Sequence, residues 1–161
     1  MSIKANIHKF KEELGEDVTL VAVSKTKPVS DLMQAYEAGQ RVFGENKVQE
    51  MEAKWSEMPK DIQWHMIGHV QRNKVKYMAL FVSLIEAVDS KRLLKEVNKQ
   101  AKKNDRTIRC LLQIKIAEED SKFGLSTEDA KELLASDAFK EYKNVSVVGL
   151  MGMATFTDNE A

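Results

Sequence analysis

The chain has 161 residues, 43% of them apolar and 31% charged, with 25 Lys and Arg balanced by 25 Asp and Glu. That length suits one domain with a core, and zero net charge excludes bulk attraction to nucleic acid or to an anionic membrane surface. The single cysteine, Cys110, excludes an intrachain disulfide and fits a reducing compartment. The opening MSIKANIHKF carries charges where a signal peptide needs an apolar run. No stretch reaches the roughly 18 apolar residues of a membrane span. A cytoplasmic chain is expected. The two prolines, Pro28 and Pro59, lie in no linker-like stretch, so residues 1–161 read as one domain.

Strand and helix patterns alternate along the chain. Ile3, Ile7, Phe10 and Leu14 share one face of a helix over residues 2–14. Residues 18–24, VTLVAVS, form a short β-branched run suited to a strand buried on both faces. Ser30 can cap a helix that ends at Gly39, with Leu32, Ala35, Tyr36 and Ala38 facing inward. A strand follows over 41–44. Asn46 can cap the next helix, which carries Val48, Met51 and Trp55. Residues 62–67 read as a third strand, 71–78 as a short helix and 80–88 as a fourth strand. Ser90 caps a helix through Lys103, with Leu93, Leu94, Val97 and Ala101 inward. Residues 109–116 form a fifth strand. Ser126 and Asp129 have capping-box spacing and open another helix. Residues 145–150 form a sixth strand. Repeated βα units mean a parallel sheet with helices packed outside it. Length alone favours an open doubly wound sheet, because a (β/α)8 barrel normally needs about 200 residues or more.

Five stretches carry polar groups at strand ends. In VSKTKP, alternation puts Val21, Val23 and Lys25 on one face and Leu20, Ala22 and Ser24 on the other. A lysine ending a buried strand can form a Schiff base with an aldehyde once its amine is neutral. A free lysine has a pKa of about 10.4, which desolvation and a neighbouring cation such as Lys27 lower. The bland alternative is a solvated lysine just past the strand. In FGENKVQE, Gly44 permits close backbone approach. Asn46 reaches a ligand, caps a helix, or does both, and Glu45 and Glu50 read as surface charges. In WHMIGHVQRNK, His65 and His69 are four apart, but the strand-turn setting and the lack of a third ligand argue against a metal. Packing of His65 and a loop role for His69 are the default readings. The acidic loop EEDSKFGL, from Glu118 to Leu125, reads as solvated. In GLMGM, Met151 lies between Gly149 and Gly152, which leave room for a flat ring, although methionine there is more often core. Cys110 reads as a small core residue.

Taken in order, AVSKTKPV, FGENKVQE, WHMIGHVQRNK, IEAVDS, EEDSKFGLS and GLMGM resemble the YggS/PROSC family of pyridoxal-phosphate homeostasis proteins. The resemblance runs from about Ile3 to Met153 and overturns the length argument. It implies a TIM-type (β/α)8 barrel, like the N-terminal domain of alanine racemase, here incomplete with about six strands. It implies pyridoxal 5′-phosphate (PLP) held as a Schiff base on Lys25, with Asn46 beside the ring and Met151 at the cofactor site. It implies a carrier and regulator of the vitamin B6 pool rather than an enzyme. Members of the family continue through two more βα units, which supply most of the phosphate cradle and an arginine facing the pyridine nitrogen. The chain is therefore expected to be shortened at its C-terminal side, with PLP weakly bound or absent. Self-association through open barrel edges is also expected. The alternatives are a PLP-dependent amino-acid racemase-like enzyme and an assembly module that pairs its open edge with another chain.

Overall fold

The fold comes from a computed structural model that describes residues 1–117, 123–155 and 158. Six strands form one parallel sheet in the order β1-β2-β3-β4-β5-β6. They are β1 (Ala22–Val23), β2 (Val42–Glu45), β3 (Gln63–Met66), β4 (Leu84–Val88), β5 (Ile108–Gln113) and β6 (Val145–Met151). The helices are α1 (Ile3–Leu14), α2 (Val29–Glu37), α3 (Val48–Glu57), α4 (Lys91–Lys103), α5 (Thr127–Ala135) and α6 (Asp137–Lys140), with a 3₁₀ helix over Arg72–Tyr77 between β3 and β4. Strands in chain order with helices between them are the barrel-type arrangement, not the rearranged order of a doubly wound sheet.

The core lies between the sheet and its helices. Phe43, Trp64, Met66, Ile85, Cys110 and Leu112 send side chains outward against Leu32, Met51, Val75, Met78, Leu93, Leu94 and Val97. The opposite, inner face follows the alternate parity. Val21 and Ile67 close over Gly44 on that face, where an added Cβ would stand 3.0 Å from Val21 Cγ1. Residues 85–88 break register with β5, a bulge that re-aims the end of β4.

Several boundaries differ from the sequence expectation, each for a local reason. Two residues of β1 pair with β2, not the seven of the run 18–24. The Gln40 side chain donates to the carbonyls of Leu20 and Val42, both at 2.7 Å. A side chain thus replaces the ladder there. In α1 only Ile7 is buried, while Phe10 and Leu14 are exposed. Helix α2 starts at Val29 behind Pro28, not at a Ser30 cap. Proline fits that entry because its missing N–H would be unpaired in any case. The cap of α3 is Lys47 in extended conformation, without a side-chain bond, so Asn46 is not the cap. Leu80 is exposed and precedes β4. The caps at Ser90 and Ser126 form as read, accepting from Leu93 N and Asp129 N at 3.1 Å.

Candidate functional site

In parallel α/β folds of this kind, ligand-facing groups sit at the C-terminal ends of the strands. Lys25 lies two residues past the end of β1, and Asn46 one residue past the end of the neighbouring β2. Ser24 N bonds to Gly44 O at 3.0 Å and continues the ladder up to them. Along β1 the expected parity holds. Ala22 packs on the core and Ser24 is buried, whereas Val23 is exposed on the inner side. Lys25 comes next after Ser24, in the turn that leaves the strand, and is exposed. Among the described residues neither its ammonium nor the Asn46 amide has a hydrogen-bond or ion-pair partner. Asn46 lines a pocket of about 350 Å³ with Gln49, His69, Gln71 and Lys74. Gly68 is pressed against it, so that a Cβ there would lie 2.7 Å from Asn46 O. Met151 ends β6, pairing with Gln113 at the far edge of the sheet. The three predicted residues thus share the same end of the sheet, two side by side and one on the opposite edge strand.

Beneath Lys25 lies a charge network that the sequence reading missed. Glu45, expected at the surface, is fully buried, and Lys54 is nearly so. Lys54 Nζ contacts Glu45 Oε1 at 2.6 Å, Glu50 Oε1 at 2.8 Å and Ser24 O at 2.7 Å. Ser24 Oγ donates to Glu45 Oε1 at 2.7 Å, and Thr26 N donates to Glu50 Oε1 at 2.6 Å. The hydrogen bond from Lys54 holds the Glu50 carboxyl below its ordinary range; burial opposes it, while the Thr26 N–H and the charges of Lys54 and Lys47 assist. Glu45 Oε2 is buried without a partner among the described residues. Parity carried the signal: Glu45 follows Phe43 on the outward face, and Lys54 follows Met51 by three on the buried stripe of α3.

His65 is buried and pairs with Glu86 at 2.8 Å, and His69 pairs with Asp89 at 3.1 Å while stacking on Phe123 at 3.9 Å. Among the described residues no cluster of three His, Cys, Asp or Glu could hold a metal. Cys110 is buried, and that burial pushes its thiol up to about 12, which keeps it protonated and inert. Most of the acidic loop, Glu118 to Lys122, lies outside the described residues. No helix among the described residues is long and apolar enough to cross a membrane.

Residues 1–161 match the alanine racemase N-terminal domain family. A pyridoxal phosphate homeostasis protein of Aquifex aeolicus (strain VF5) is 38% identical over 141 residues, covering 87% of this chain and 61% of its own length. The chain therefore spans about three fifths of the curated relatives it matches. The solved structure of PipY from Synechococcus elongatus PCC7942 without PLP superposes with a TM-score of 0.87 at 33% identity, over 94% of this chain and 70% of that one. Its form with PLP bound gives 0.87 at 32% identity, over 97% and 72%. Alanine racemase of Streptomyces lavendulae, at 20% identity and a TM-score of 0.73 over 93% and 40%, shares the fold.

Proposed function

We propose, from the premise that this chain belongs to the alanine racemase N-terminal domain family and within it to the pyridoxal phosphate homeostasis proteins, that it carries PLP as a Schiff base on Lys25. It serves intracellular, cytoplasmic vitamin B6 homeostasis without catalysing turnover. What supports the reading is an exposed lysine with no described partner at the C-terminal end of β1, beside an equally unpartnered Asn46. The residues fit the group at its aldehyde end. When bound, PLP supplies an aldehyde able to condense with a primary amine. Lys25 offers that amine, Asn46 a hydrogen bond from the next strand, and Met151 an apolar contact from β6. The Ser24–Glu45–Lys54 contacts hold the lysine's own backbone in place. The test is titration with PLP followed by borohydride reduction and peptide mapping. A yellow adduct with the label on Lys25, lost in Lys25→Ala, is expected. Label on Lys27 or Lys122 instead, or turnover of alanine by the loaded protein, overturns the reading.

We also propose that copies of this chain associate through the sheet edges. Among the described residues β1 and β6 each pair on one side, and Val23, Val148 and Leu150 are exposed beside them. Unpaired strand edges with apolar flanks recruit further strands. Mass in solution above that of a single chain is expected, and a monomer at all accessible concentrations rejects it.

A further inference from the structure

The turn that carries Lys25 is conformationally unusual. Lys27 N returns to Ser24 O at 3.1 Å, so Lys25 and Thr26 are the middle residues of a tight turn. Thr26 stands at φ +63°. At that turn position a positive φ suits Gly or Asn, and for a β-branched residue it is an outlier that persists only where the surroundings hold it. The surroundings here are the buried charges. Glu50 Oε1 takes the Thr26 N–H at 2.6 Å, and Lys54 Nζ grips both Glu50 Oε1 and the Ser24 carbonyl. Glu45 Oε1 takes the Ser24 hydroxyl at 2.7 Å and is itself paired with Lys54. The backbone on both sides of Lys25 is thus held, and Lys54 contacts the Ser24 carbonyl, Glu45 and Glu50 together. Buried ion clusters are poor stabilisers compared with apolar packing of similar volume, and this one leaves Glu45 Oε2 orphaned. Strength alone does not account for it, whereas geometry does.

We infer that Lys54 is a positioning residue for Lys25, clamping the Ser24–Lys27 turn in its left-handed form so that the amine is presented at the inner mouth of the sheet. The inference rests on the proposal that Lys25 is the PLP-bearing residue, and it makes two separable demands. The first needs no ligand. In Lys54→Met, hydrogen exchange at the Thr26 amide accelerates by about tenfold or more, because its acceptor is no longer held. The second is read by borohydride trapping with PLP as the probe. In Lys54→Met, the share of label on Lys25 falls about tenfold relative to surface lysines of the same molecule.

The double variant Lys54→Met, Thr26→Asn supplies a residue that takes a positive φ readily. It restores Lys25 labelling to within about threefold of the parent chain, without restoring the ion cluster. A loss that Thr26→Asn fails to rescue shows that Lys54 only staples α3 to the sheet, and overturns the inference. So does a folded Lys54→Met that labels Lys25 normally. If circular dichroism shows Lys54→Met unfolded, Glu50→Gln takes its place. It must shift both readouts in the same direction, and an unchanged pair overturns the inference. If the parent chain itself labels elsewhere than Lys25, the function proposed above fails, and the positioning role is decided by the Thr26 exchange rate alone.

Discussion

Asn46 has its backbone fixed by a neighbour that has no side chain. A methyl group on Gly68 would stand 2.7 Å from Asn46 O and 2.9 Å from its Cα, and backbone atoms in that position do not yield. Gly68→Ala is expected to cost about 1–3 kcal/mol and to weaken PLP binding by displacing Asn46. Denaturant midpoints and PLP titrations on Gly68→Ala and the parent chain check this, and unchanged PLP binding in a folded Gly68→Ala counts against the assignment. Glu50 gives a pH prediction. Its folded carboxyl lies below the ordinary 4.5, so its stabilising share is fully present above pH 4.5 and is lost as pH falls through the folded value. Melting temperature against pH should therefore fall less steeply on the acid side in Glu50→Gln. A curve parallel to the parent's shows that Glu50 is not held as described. These residue-level facts were only half legible. Alternation along VAVS holds for Ala22, Val23 and Ser24, but a cluster joining residue 24 to 45, 50 and 54 depends on how strand and helix meet in space.

Between elements, Arg106 does the work of a staple. Its guanidinium donates to Ala79 O and Val82 O, each at 2.7 Å, and so fastens the turn before β4 to the α4–β5 connection. Its own carbonyl accepts from Asn144 Nδ2 at 2.9 Å, which ties in the start of β6. Burial draws the guanidinium's pKa downward, the expected sign for a cation removed from water. Arg106→Met leaves the carbonyls of two buried residues, Ala79 and Val82, unpaired and should cost about 1–3 kcal/mol. Arg106→Lys should recover only part, because one ammonium nitrogen does not reproduce the separate Nη1 and Nη2 donors that reach the two carbonyls. Equal midpoints for parent and Arg106→Met reject the staple. The order and type of elements were readable because β-branched runs and helical apolar stripes alternate cleanly from Ile3 to Met151. Ends were misread where a side chain substitutes for a backbone partner, as Gln40 does at Leu20. They were also misread where Pro28 sets the start of a helix that Ser30 was expected to cap.

The sheet as a whole is anchored unevenly. Strand β6 aligns six residues with β5, while β1 aligns two with β2. Amide hydrogen exchange should therefore be fastest at β1 among the strands and slowest within β2 to β5, which have partners on both sides. Protection at β1 equal to that at β4 means the β1 edge is covered in solution, which is what self-association would produce. The strictly sequential strand order has one more consequence, for how the chain is made. Each new strand pairs with the one translated immediately before it. The sheet can thus be laid down in the direction of synthesis, with every βα unit docking on a surface that has already left the ribosome.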